Sequence, residues 1–514
     1  TLALSDDVDR IRGRAAVRMR ATRSGVEAAV LDFTGLAVEA ANVDGAPAEW
    51  SLEQGRLRVP LGRTLGPGDE TVVEVAYQGV PDDGLILRAN VEGRPSAFVD
   101  NWPNRTRFWL PSVDHPSDKA TARFTVHAPE AWSVVANGRL VGQPYPTPPG
   151  TPTPESGPSR TWVYETDVPH PTYTLVVGAA EMTVTSLGTS ACGRAPASPR
   201  ADGCLESRTW LYPGSVEAAS PSFRRAVEMV DFFADVFGPF PYEKLAHVQS
   251  ATRFGGMENS SAIFYSERAL ASGRDIESTV AHEVAHQWFG DSVTPRDWTH
   301  LWLSEGFATY FGATFFEFAE GIADFRRRME ESAGTYLSSP DTLLAVVNAE
   351  EPNLFNLLNR NSYQKGGWVL HMLRGVVGDE TFFRGVREYY LEHRHGTAAT
   401  DDFVAVMERV AGEDLAWFFD PWLHAPGYPV LAVDTGAGDN GAYLRLTVRQ
   451  VQGEYAPRFR IPVTLELRWG GERRRERVVL EGAATVFDFA GVPPDARVTV
   501  DPDGWVLKRV VGGS

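Results

Sequence analysis

Residues 282–286 read His282-Glu283-Val284-Ala285-His286, inside a segment, Val280 to Phe289, whose pattern predicts a helix closed by Gly290. At about 3.6 residues per turn, positions four apart share one face and lie about 6 Å apart along the axis, so both imidazoles reach one metal ion. Glu283 is turned by about 100° from His282, outside that pair yet close enough to take a proton from a water at the ion. It suits a general base. A catalytic zinc takes three protein ligands and keeps a fourth position open. Glu305 is the candidate third ligand: it lies on the next predicted helix, Leu301 to Ala319, after a turn containing Asp291 and Pro295. Two imidazoles and a carboxylate leave room for a water whose pKa the metal lowers to roughly 7. A structural site is usually closed with cysteines, and Cys192 and Cys204 are not placed to help.

Two further segments flank this core. Gly255-Gly256-Met257-Glu258-Asn259 precedes an apolar run, Ala262 to Phe264. It reads either as a turn before a strand or as a place where a substrate backbone approaches closely and a carboxylate holds a cationic group. Tyr363-Gln364-Lys365-Gly366 opens a helix, with Tyr363 either a buried tyrosine or an oxyanion donor.

Together these residues resemble the zinc aminopeptidases of the aminopeptidase N and leukotriene hydrolase type, gluzincin metallopeptidases with a thermolysin-like catalytic domain. The resemblance rests on Gly255 to Asn259, His282 to Gly290, Trp302-Leu303-Ser304-Glu305-Gly306-Phe307-Ala308 and Tyr363 to Gly366, in family order and spacing, with Leu175-Val176-Val177-Gly178 near the end of the first domain. It implies one Zn2+ per chain bound by His282, His286 and Glu305. It further implies Glu283 as general base, Tyr363 as oxyanion donor, Glu258 as acceptor of the substrate's free amine, and Gly255, Gly256 and Met257 beside the substrate. The implied reaction removes the N-terminal residue from peptides with a free N-terminus.

Two departures from the family pattern stand out. Where relatives often carry a glutamine that helps bind the amine, the nearest equivalent is Asp100 in Phe98-Val99-Asp100-Asn101-Trp102. Asp100 is therefore expected to face the ammonium as a second carboxylate, with Trp102 walling the pocket for the first side chain. The chain also stops after a small β-domain, so no C-terminal helical domain is expected and the cleft should be open. Rival readings are a catalytically silent scaffold of the same fold, an endopeptidase, an epoxide hydrolase, and a non-haem iron oxygenase, which also uses two histidines and a carboxylate but needs no Glu283.

The whole chain frames this centre. Its 514 residues suffice for about three domains. Period-two alternation from Arg10 to about Val177, as in Val73, Val75 and Tyr77, predicts antiparallel strands. The middle is mainly helical, with helices around Phe223 to Phe237, Trp368 to Val376, Glu380 to His393, and Phe403 to Trp422 broken near Gly412; alternation returns from about Pro429. The expected fold is multidomain α+β: an N-terminal antiparallel β-domain at 1–186, a thermolysin-like catalytic domain at 187–427, and a small β-sandwich-like domain at 428–514. Gln143 to Ser159 reads as a long Pro-rich hairpin loop, and Arg473 to Arg475, flanked by Glu472 and Glu476, as a solvated hairpin.

With 67 acidic against 49 basic side chains, the net charge of −18 opposes binding to a phosphate backbone or an anionic membrane face. No nucleic-acid partner and no membrane span are expected, and oligomeric state is left open. Cys192 and Cys204, twelve positions apart, read as a loop-closing disulfide or as two free thiols. The former goes with a periplasmic or secreted protein and the latter with a cytoplasmic one; the opening at Thr1 is expected to follow removal of upstream residues, either a leader or residues cut away otherwise.

Overall fold

The computed structural model describes residues 1–6, 9–151 and 157–512. By contacts these fall into two units, Thr1–Asp297 with His393–Thr397, and Trp298–Glu392 with Ala398–Ser514.

The first unit begins with the β-region that alternation predicts. Its largest sheet has nine strands, and Ile11–Arg20 pairs antiparallel with Glu70–Gly79 over ten residues. Val73, Val75 and Tyr77 point inward and are buried, as period-two patterning requires. One exception to the antiparallel rule is the short strand Leu2–Ala3, which runs parallel to Arg123–Pro129. In the Pro-rich hairpin, Tyr145 and Pro146 pair with Thr161 and Arg160, and residues 152–156 of that loop lie outside the described residues. Further along, a five-stranded mixed sheet runs in the order Thr183–Ser190, Leu205–Leu211, Leu245–Ser250, Ala262–Ser266, Gly256–Met257. Gly256–Met257 is thus an edge strand. Helix Ala226–Phe237 packs its buried face, including Phe233 and Phe237, against Trp288. Gly238, at φ 122°, ends that helix where a side chain would strain. Cys192 and Cys204 are joined in a disulfide.

In the second unit the central helix, Trp302–Glu320, is buried along most of its length. Phe307, Tyr389 and Phe403 stack around it, Phe307 and Phe403 edge to face at 5.1 Å. Helices Thr400–Ala411 and Ala416–Leu423 are separated at Gly412, which is left-handed at φ 73°. The helix Ile322–Leu337 was not expected from the pattern, because its face carries Arg326, Arg327 and Arg328 and buries only Phe325, Met329 and Tyr336. Two sheets follow: four strands in the order Ala484–Phe489, Leu444–Gln450, Val430–Ala437, Arg509–Val511, and three in the order Glu472–Leu480, Ile461–Trp469, Arg497–Val500. Arg473 and Arg475 sit over Glu466, as a solvated hairpin would have it. None of the described helices is long and apolar enough to cross a membrane.

One contact fixes the geometry of the second unit. A Cβ added at Gly306 would lie 2.9 Å from the backbone of Gly366, so helix Trp302–Glu320 and helix Gly366–Val377 touch backbone to backbone. Gly306 follows Glu305, and Gly366 follows the turn bearing Tyr363. Gly334, by contrast, has nothing within 4 Å of a built Cβ. Gly306→Ala is expected to push the two helices apart and to lower unfolding free energy by about 1–3 kcal/mol. Gly334→Ala should instead add up to about 1 kcal/mol through helix propensity. Urea midpoints of the two variants, moving in opposite directions, check the assignment.

Candidate active site

In the first unit, helix Glu277–His286 delivers His282, Glu283 and His286. The two ring Nε2 atoms face each other at 3.0 Å, with the rings nearly perpendicular. His286 Nδ1 lies 3.0 Å from the Phe289 carbonyl oxygen. A carbonyl only accepts, so Nδ1 carries the proton and Nε2 presents a lone pair. With its proton on Nε2, His282 donates to that lone pair; with the proton on its Nδ1, both Nε2 atoms are free to bind one metal ion. The donor set therefore fits a zinc ion.

Carboxylates stand beside this pair. Glu258, Glu283 and His286 each place one ligating atom within 4.8 Å of the others. Glu283 packs onto the edge strand: a Cβ at Gly256 would lie 2.1 Å from its Oε1, so the missing side chain makes room for the base. Met257 is buried and Glu258 nearly so, while Gly255 is open around its Cα and its carbonyl accepts from the Ser266 N–H.

Residues that no motif singled out hold this arrangement. Gln287, fully buried, donates from Nε2 to the Glu258 carbonyl at 2.7 Å and to Asp291 Oδ2 at 2.9 Å. Its Oε1 accepts from the Ser261 N–H at 2.8 Å. The end of the helix is tied down from the β-region, where Lys119 Nζ donates to the carbonyls of Asp291 and Ser292 at 3.0 and 2.8 Å and Tyr173 Oη to that of Gly290 at 3.2 Å. Burial, and then the charge of Glu258, holds the Asp291 carboxyl well above the usual carboxylate range.

Asp100, expected to face the substrate ammonium, lies among arginines. It is buried, with Oδ2 3.3 Å from Arg105 Nη2 and 3.5 Å from Arg253 Nε, and Oδ1 accepting from Thr252 Oγ1 at 3.4 Å. Its carboxylate lies between two guanidinium groups, both of which also reach Asp83. Trp102 is buried and meets Phe254 edge to face at 6.2 Å.

In the second unit, Glu305 is buried in the first turn of its helix. Tyr363 sits half-buried in a π-helical turn, Asn361–Lys365, that runs into helix Gly366–Val377, so the segment opens a helix as expected. Such turns recur at functional positions because the extra residue re-aims a side chain. Lys365 anchors the turn by donating to the Ala425 carbonyl at 3.1 Å.

Residues 222–422 match the Peptidase family M1 domain. This match bears out the resemblance to the aminopeptidase N type of gluzincin. The chain is 25% identical over 508 residues to Probable aminopeptidase 2 of Sulfurisphaera tokodaii, covering 93% of this chain and 59% of that protein. It is 27% identical to Tricorn protease-interacting factor F2 of Thermoplasma acidophilum, covering 93% and 60%. Leucyl aminopeptidase of Saccharolobus solfataricus is 26% identical, covering 80% and 51%. The chain thus spans about 60% or less of the length of these relatives. An M1 zinc metallopeptidase from Deinococcus radiodurans shares the fold, with TM-score 0.71 at 24% identity over 83% of this chain and 92% of that one.

Two predictions come from the supports of the M1 domain. Gln287→Leu leaves the Glu258 carbonyl, the Asp291 carboxyl and the Ser261 N–H unpaired, and is expected to cost about 2–5 kcal/mol of stability. Urea midpoints and zinc titration of the variant should both show loss; an unchanged midpoint refutes the bracing role. Lys365, whose ammonium burial pushes down to about 7, binds fewer protons folded than unfolded above that pH. Its contribution to stability therefore improves as pH rises from 7 toward the unfolded value near 10. Between pH 7 and 9, the unfolding free energy of wild type should gain about 1 kcal/mol per pH unit relative to Lys365→Met.

Proposed function

We propose that this chain is a zinc-dependent aminopeptidase that removes the N-terminal residue from peptides, with one Zn2+ per chain held by His282, His286 and Glu305. The observation that carries the reading is the pair of imidazole Nε2 atoms 3.0 Å apart with the Glu283 and Glu258 carboxylates beside them. The chain's similarity to Probable aminopeptidase 2 of Sulfurisphaera and Leucyl aminopeptidase of Saccharolobus supports it. Glu305, the third ligand on this reading, lies in the buried first turn of the next long helix.

Zinc, when bound, supplies Lewis acidity at the scissile carbonyl and makes hydroxide available near neutrality. Glu283 takes the proton of the attacking water and passes it to the leaving amine. Tyr363 donates to the oxyanion of the tetrahedral state. Glu258 receives the ammonium of the substrate, and the edge strand Gly256–Met257 offers its backbone to an extended peptide. One charge-assisted hydrogen bond is worth about 1.5–3 kcal/mol, a preference of roughly ten- to 150-fold for a free over a blocked amine. The bonded cysteines support an extracytoplasmic location.

The test compares a free and an N-acetylated aminoacyl reporter, with and without chelator. Free substrate should be cleaved, chelator should stop it and zinc restore it; equal rates on both reporters would remove the amine anchor. Glu283→Ala should keep zinc and lose most turnover, and Glu258→Ala should penalise the free-amine reporter most.

A further inference from the structure

Within the second unit a cavity of about 110 Å3 opens where helices Gly366–Val377 and Ala416–Leu423 meet the C-terminal strands. Its walls include the apolar side chains of Met372, Phe418, Trp422, Val463 and Trp505. Trp505 is held flat against His371, ring centroids 4.6 Å apart, and fits over Gly375, where a Cβ would come within 3.0 Å of the indole. None of the residues proposed for catalysis lines this cavity.

The charges at its mouth do not cancel. Arg460 is paired with Glu481 at 2.8 Å and lies over the Trp417 ring. Asp501 is paired with Lys508 at 2.6 Å and accepts from the N–H groups of Trp505 and Val506. Arg477 is different. It donates to the Gly375 carbonyl at 2.9 Å and makes no ion pair among the described residues. Its cross-strand partner Thr464, also lining the cavity, adds a hydroxyl beside it. The mouth therefore carries one guanidinium charge without a carboxylate, a fork shaped for a carboxylate ligand. The volume bounds the other end of that ligand: a cavity of about 150 Å3 houses benzene, so this one takes only a short hydrocarbon group, and a flexible alkyl chain can adapt to its walls.

We propose that this cavity binds a short branched aliphatic monocarboxylate, its alkyl end among Met372, Trp422 and Trp505 and its carboxylate on Arg477. Phe418 and Trp422 belong to the helix whose following loop supplies the Ala425 carbonyl to Lys365, and Met372 to the helix that continues from the Tyr363 turn. A ligand here touches both supports of that turn.

The probe is isocaproate, with isocaproamide as its uncharged counterpart, titrated calorimetrically into the full chain loaded with zinc. Isocaproate should bind with a dissociation constant of about a millimolar, and the amide at least tenfold more weakly. Arg477→Gln, on an exposed strand position, should weaken isocaproate about ten- to hundred-fold. Arg460→Gln, whose partner is Glu481, should change it less than about threefold. No heat with isocaproate, equal binding of acid and amide, or full affinity in Arg477→Gln would each overturn the proposal. So would competitive inhibition of peptide cleavage that persists in Arg477→Gln, since it locates the probe in the catalytic cleft.

Discussion

Two imidazole nitrogens 3.0 Å apart, with carboxylates at their side, form a cluster of donors that one positive charge can gather. The helix supplies the spacing, but spacing alone leaves each ring free to turn. The Phe289 carbonyl removes that freedom for His286 by fixing the proton on Nδ1. Because the lone pair direction follows from that one bond, everything that holds residues 286–292 in place also holds the ligand. The Lys119 ammonium on the carbonyls of Asp291 and Ser292, and the Tyr173 hydroxyl on Gly290, serve this purpose from the β-region.

Glu258 and Glu283 make the same point from the other side. Two carboxylates near one another repel unless something positive lies between them, and a substrate ammonium is such a group. Gln287 keeps them there: it grips the backbone of Glu258 and of Ser261 from the residue after a proposed ligand, so the Glu258 segment and helix Glu277–His286 are one hydrogen-bonded piece. Gly256 completes it by lacking the atom that would occupy the space of the Glu283 carboxylate.

How much of this was legible in the sequence depends on the range of the interaction. The spacing of His282 and His286, the break at Gly412 and the inward row of Val73, Val75 and Tyr77 are local consequences of helix and strand periods, and pattern reading finds them. The supports come from residues 26 or more positions away along the chain, as with Gln287 and Ser261 or Lys119 and Asp291, and no period records them. Helix Ile322–Leu337 escaped for a third reason. Three consecutive arginines interrupt its apolar stripe, and ion pairs such as Arg328 with Asp324 stabilise it where burial is sparse.

Asp100 shows what a residue type read at a motif position leaves out. Expected as a second anion for an ammonium, it lies buried in a network with Arg105 and Arg253, both also paired with Asp83. A buried carboxylate is stable only when paired. Arg253 lies two residues before Gly255, so the network holds the start of the glycine segment in place, and the proposed reading gives the amine to one carboxylate, Glu258. A single anchor discriminates by its own energy alone. The preference for a free amine on this reading is therefore moderate, and on the same reading further selectivity for the first residue comes from apolar walls, for which the pair of buried Trp102 and half-buried Phe254 is a candidate.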